Sequence, residues 1–167
     1  MNRTLARSAF YTAPLAVWLA LIYSLSTSAG ASGVSVSLIE RALVRFVPAF
    51  HQSLTAYQMD WINYLARKCA HFTEYFVLLL LAVRALQYGD PRIRWGRFAG
   101  AVALSLAWAL ADEFHQSFVP GRTAYLDDVY LDWSGCAAAA IVTLARFGER
   151  SLEHRLNAGS RRARPGR

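Results

Sequence analysis

The sequence predicts an all-α membrane protein, with four transmembrane helices and an amphipathic helix in the outer loop between the first two. Three observations carry that prediction. The hydrophobic residues, 55% of the 167, gather into four long blocks instead of recurring at helical spacing around a soluble core. The basic residues concentrate in alternate loops. Two short stretches, Arg67–Tyr75 and Asp112–Asp132, hold most of the remaining polar chemistry, each against an apolar block.

The blocks are Ala9–Ser26, His71–Gln87, Phe98–Ala111 and Val129–Phe147. About 20 residues cross a hydrocarbon core. The third block reaches that length with Trp95 and Phe114 as its interfacial ends. Arg84 lies inside the second, near enough to its end to snorkel. Trp18, Trp95, Trp108 and Trp133 fall near block ends or on helix faces, as a loose aromatic belt would. The first block has a competing reading. Arg3 and Arg7 precede it and Ala29-Gly30-Ala31 follows it, as in a cleaved signal peptide. Its length favours a retained span.

Between the first two blocks, Ser26-Thr27-Ser28-Ala29-Gly30 opens a loop reaching to about Asn63. Within it Val36, Ile39, Ala42, Leu43 and Phe46 recur at helical spacing over Val34–Phe50, an amphipathic pattern suited to a membrane surface or a cap on the bundle. Tyr88-Gly89-Asp90-Pro91-Arg92 is a turn that stops the second helix. Residues 1–150 thus form one membrane domain, and 151–167 a basic tail.

The net charge of +7 comes from eighteen basic residues against eleven acids. Thirteen of the eighteen are Arg3, Arg7, Arg84, Arg92, Arg94, Arg97 and the seven arginines from Arg146 onward. Arg41, Arg45, Arg67, Lys68 and Arg122 occupy the other two loops. That alternation is the positive-inside pattern with both termini cytoplasmic. It favours the lipid bilayer as the partner of the basic tail and argues against nucleic acid. Cys69 and Cys136 sit at different depths and read as small apolar residues, not a disulfide.

This topology brings the polar stretches to one face of the membrane. Lys68, His71 and Tyr75 fall at i, i+3 and i+7 on one helix face, with Glu74 beside it. Asp112, His115 and Gln116 share a face of the third span, next to Glu113. Asp128, Asp132 and Gly135 share one on the fourth, where Gly135 and Ala139 permit close helix approach. Polar faces within a membrane turn toward each other, away from lipid. The expected cluster is rich in acid: Glu74, Asp112, Glu113, Asp127, Asp128 and Asp132 outnumber Arg67, Lys68 and Arg122. Such an excess has to bind a cation, face water or hold protons.

Three ordered motifs carry a resemblance. K-x-x-H-F-x-x-Y-x-x-L over Lys68–Leu78, D-E-x-H-Q-x-F-V-P-G-R over Asp112–Arg122 and D-x-x-x-D-x-x-G over Asp128–Gly135 resemble the VanZ-like family, named for a teicoplanin-resistance protein. The resemblance covers about residues 68–135. It implies a four-span bacterial inner-membrane protein, associated in its founding member with low-level glycopeptide resistance. The family's characteristic positions fall on Lys68, His71, Tyr75, Asp112, Glu113, His115, Gln116, Arg122, Asp128 and Gly135. Asp132 stands where the family usually has Asn, and Tyr125 where a small hydroxyl residue is common.

Four chemistries fit these residues. A binding site for an envelope lipid, a peptidoglycan precursor or an antibiotic would use Lys68, His71, Tyr75, Asp112, Glu113, His115, Gln116, Arg122, Asp128 and Asp132. A hydrolase or transferase acting on a lipid headgroup would draw its acid and base from His71, Glu113, His115 and Asp128. Ser117 and Thr73 offer hydroxyls without a nucleophile motif. A divalent metal would need His71, His115 and Asp112; the absence of HExxH or Cys/His spacing argues for no cofactor. The fourth reading is a polar network that fixes helix register, with Arg122 pairing Asp128.

Overall fold

The computed structural model describes residues 3–27, 41–90, 92–120 and 126–162, and side chains over 5–27, 41–49, 51–90, 92–120 and 126–147. Six helices and no strand occur among them: α1 (Arg3–Thr27), α2 (41–46), α3 (Pro48–Ser53), α4 (Ala56–Gln87), α5 (Trp95–Gln116) and α6 (Leu126–Arg162). Each of the four long helices contains one of the four apolar blocks. Two of them, over Leu5–Thr27 and Ala56–Gln87, are long and apolar enough to cross a membrane. In α5 and α6 the acids and arginines near the ends dilute the same apolar character.

Successive long helices run antiparallel, as cross-helix contacts at both ends establish. Ser26 meets Asp112, and Lys68 meets Asp128, at one end. Tyr11 meets Tyr88 at the other. The core is thin and made largely of small and aliphatic side chains. Leu78, Leu79 and Ala82 of α4 are fully buried against Ala101, Ser105 and Ala109 of α5 and Ala139 of α6. The spacing Ala101, Ser105, Ala109 is i, i+4, i+8, so one stripe of α5 carries little bulk and lets the helices approach. Gly135 shows the limit of that approach. A Cβ added there would collide with the carbonyl oxygen of Phe72 on α4.

Outside this core the surface is apolar. Phe10, Val17, Phe114, Phe118, Leu126, Tyr130 and Ile141 are each more than 60% exposed. An apolar belt of this extent is what lipid covers and water does not. The indoles have a different role from the expected belt: Trp18 Nε1 donates to the Glu74 carbonyl at 2.9 Å, and Trp133 Nε1 to the Leu106 carbonyl at 3.4 Å. These bonds tie α1 to α4 and α6 to α5. Trp95 and Trp61 are the exposed tryptophans.

Two elements differ from the expectation. The amphipathic segment is helical over 41–46 and again over Pro48–Ser53; its first part, 34–40, lies outside the described residues. Val47, at φ −142° and ψ 59°, breaks it, because a residue before proline is pushed out of the α region. And α4 begins at Ala56, not near Lys68. Thr55 caps it through a reciprocal box with Gln58. Lys68 therefore lies roughly 18 Å along the helix instead of in its first turns.

Candidate functional site: an acid-rich cluster at one end of the bundle

Four helices contribute to the cluster. From α4 come Lys68, His71, Glu74 and Tyr75. Asp112, Glu113 and Gln116 come from α5, Asp128 and Asp132 from α6, and Ser26 from α1. Asp112, Glu113, Gln116, Asp128 and Asp132 are buried, with Asp132 1% and Tyr75 0% exposed. Lys68 and His71 form the partly exposed margin.

The contacts form a chain across the bundle. Lys68 Nζ pairs with Asp128 Oδ1. The Lys68 ammonium also lies 5.2 Å from the centroid of the Tyr64 ring, so a carboxylate and a π face hold it from two sides. One helical turn deeper, His71 Nδ1 faces Asp132 Oδ1 at 3.3 Å. The Tyr75 hydroxyl is buried without a well-formed hydrogen bond and is directed at Asp112, with Asp132 and Glu74 the next acids. Asp112 is held from two helices. Gln116 Nε2 donates to its Oδ2 at 2.9 Å, and Ser26 Oγ meets its Oδ1.

The single Ser26 hydroxyl proton has two acceptors, Asp112 Oδ1 and the Ile22 carbonyl at 2.9 Å, so Ser26 is held between α5 and its own helix.

Five acids, Glu74, Asp112, Glu113, Asp128 and Asp132, gather at this end with Lys68 and His71 among the described residues. Two expected members lie outside the group: Asp127 is exposed, and Arg67 is exposed beside the Tyr64 ring at 5.9 Å. His115 departs as well. It turns toward α1 and stacks on Tyr23 at 5.1 Å between centroids, so it joins the α1 contact and not the His71–Asp132 pair. Arg122 and Tyr125 lie outside the described residues.

The hydroxyls considered as nucleophiles are occupied and exposed. Thr73 Oγ1 donates to the Cys69 carbonyl at 2.7 Å and Ser117 Oγ to the Phe114 carbonyl at 2.6 Å. No three His, Cys, Asp or Glu side chains converge as metal ligands among the described residues. His71, His115 and Asp112 each face a different partner. Cys69 and Cys136 are both free, Cys136 being buried with its Sγ 3.6 Å from the Tyr75 carbonyl. Ser26 is the member that sequence reasoning missed. Its signal was a hydroxyl on the Leu15–Ile22 face at the end of the first block.

Four antiparallel helices with an apolar exterior, closed around buried acids at one end, define a membrane-type helical bundle with a polar end site. The family model described as VanZ/LLP1 matches residues 10–147, and the chain belongs to the VanZ/LLP1 family. The match takes in most of α1 as well as the motif-bearing helices. No curated protein and no solved structure matches.

Proposed function

We propose that the chain is a four-span protein of the bacterial inner membrane, with both termini cytoplasmic, and that its acid-rich end faces outward and binds an amine-bearing envelope molecule. The ligand class is an aminated lipid headgroup, a peptidoglycan precursor or a glycopeptide antibiotic such as teicoplanin. One observation carries the reading: buried carboxylates of α5 and α6, Asp112, Glu113, Asp128 and Asp132, converge behind the Lys68–His71 margin at one end of the bundle. An ammonium group entering past that margin would find several acceptors at once.

A second reading rests on the His71–Asp132 pair. His71 Nδ1 and Asp132 Oδ1 lie 3.3 Å apart without a well-formed hydrogen bond, and closing that bond as a ligand enters would orient the ring for acid–base chemistry. The two readings share the site and differ in whether a product forms.

The test is calorimetric titration of the full-length protein in nanodiscs with teicoplanin and with short-chain phosphatidylethanolamine, each beside its N-acetylated form. Binding that requires the free amine and disappears in Asp132→Asn, with the unfolding midpoint retained, supports the proposal. Equal binding of the acetylated forms, or no binding of either ligand, would overturn it. A headgroup product that disappears in His71→Gln would establish the catalytic reading.

A further inference from the structure

The opposite end of the bundle carries a reciprocal clasp between α1 and α4. Each helix presents Arg-x-x-x-Tyr: Arg7 and Tyr11 on α1, Arg84 and Tyr88 on α4. Because the helices run antiparallel, each arginine covers the other helix's tyrosine. The Arg7 guanidinium lies 5.2 Å from the Tyr88 ring, and that of Arg84 5.5 Å from Tyr11 and 4.6 Å from Phe10. The two tyrosines pack between them at 4.8 Å. The turn beyond α4 is shaped around this group. Tyr88 and Gly89 both take positive φ, and the Tyr11 hydroxyl fills the space a Cβ at Gly89 would need.

Neighbouring arginines are occupied. Arg94 Nε donates to Asp90 Oδ2 at 2.7 Å, and Arg97 reaches the Gln87 carbonyl at 3.5 Å. Among the described residues, neither Arg7 nor Arg84 has an ion pair or a side-chain hydrogen bond. A guanidinium held by its face against a ring leaves its N–H edges available. The ring contacts also restrict its rotamers beforehand, which lowers the entropy cost of engaging a ligand. Asp90 is engaged by Arg94 and by the Arg92 backbone N–H, and neither Arg7 nor Arg84 is paired with it. An available guanidinium fork matches the oxygens of a phosphate. Exposed Trp95, with Tyr11 and Tyr88, marks the level where headgroups lie.

We infer that Arg7 and Arg84 form a phosphate-binding site, whose ligand is the headgroup of an anionic phospholipid or a free phosphate. The site is independent of the acid-rich end and of the function proposed for it.

The experiment is thermal unfolding of the full-length protein in detergent with added short-chain phosphatidylglycerol, phosphatidylcholine or inorganic phosphate. A ligand that binds the folded state raises the midpoint. Phosphatidylglycerol raises it and phosphatidylcholine does not, and the shift disappears in Arg7→Gln/Arg84→Gln. Arg84→Lys keeps the charge but loses the fork, so its affinity falls about tenfold; it serves as the test should the double variant not fold. Arg92→Gln, at the same end but outside the ring cluster, keeps the full shift. Inorganic phosphate reproducing the effect, with the same dependence on Arg7 and Arg84, assigns the site to a soluble anion. Equal shifts from the two lipids, or a phosphatidylglycerol shift that survives in the Arg84 variants, would overturn the inference.

Discussion

Lys68 and Asp128 form the ion pair at the edge of the acid cluster, and the two partners are not equivalent. Lys68→Met removes the cation paired with Asp128 at the edge of a site where Asp112, Glu113 and Asp132 are also buried. Removing one partner of a buried pair costs about 3–5 kcal/mol, because it leaves the other charge buried without its counter-ion. Asp128→Asn removes one of several mutually repelling carboxylates. Lys68 then keeps the Tyr64 ring at 5.2 Å and, with 21% of its side chain exposed, access to solvent. The expected loss is only about 1–2 kcal/mol, near that of a single hydrogen bond to a charged group. The double variant Lys68→Met/Asp128→Asn leaves one acid fewer than Lys68→Met alone and is the more stable of the two. Denaturant unfolding in mixed micelles, fitted for each corner of the cycle, measures all three. An Asp128→Asn loss equal to or larger than that of Lys68→Met, or strictly additive effects, would refute the argument that crowded carboxylates make Lys68 the more important partner.

Gly135→Ala drives a methyl into the Phe72 carbonyl on α4 and should cost about 1–3 kcal/mol, read as a lowered unfolding midpoint with little change in the polar cluster. Ser26→Ala removes one hydrogen-bond partner of Asp112 and should destabilise by about 0.5–1.5 kcal/mol; no effect would detach α1 from the site. Asp90 is held below its ordinary carboxyl value of 3.8, first by the Arg94 bond and then by the Arg92 backbone N–H. Its contribution is therefore present above pH 3.8 and lost as pH falls through the lower folded value. The midpoint difference between the wild type and Asp90→Asn should stay constant above that window and vanish below it. For topology, in a Cys69→Ala background, Asp127→Cys should react with an impermeant maleimide on intact cells. Arg92→Cys, at the opposite end, should react only after permeabilisation, with buried Cys136 silent in both.

Most of the polar site was legible because helical spacing determines which residues share a face before any partner is known. Lys68, His71 and Tyr75 point one way whatever they meet, as do Asp128, Asp132 and Gly135, and these sets do converge. His115 escaped that logic. It sits between the faces that meet α6 and α1, and the rotation of α5, set by packing along its whole length, turned it onto Tyr23. The start of α4 was hidden for a different reason. Counting apolar residues finds the segment a membrane would cover, whereas α4 continues past it through Asp60, Asn63 and Arg67. The Thr55–Gln58 box marked the true start in the sequence, and local capping chemistry was the better guide to it.

The cluster and the clasp are linked by the order of the helices. α1 reaches both ends. Its first turns supply Arg7, Phe10 and Tyr11 to the clasp, and its last supplies Ser26 to Asp112, with Trp18 bonded to α4 between them. A signal peptide leaves the chain after targeting, so nothing on the folded domain has reason to be fitted to it. In this structure α1 meets the rest of the bundle at three depths. The Gly89 turn leaves space that the Tyr11 hydroxyl occupies, the Trp18 indole finds a backbone acceptor on α4, and a buried aspartate takes Ser26 as a partner. Deleting the first 27 residues should therefore do more than remove an anchor. It should leave Asp112 short of a hydrogen bond and Tyr88 without its ring partner, lowering stability by more than the loss measured for Ser26→Ala. A truncated domain that unfolds at the same midpoint as the full chain would show that α1 only touches the bundle.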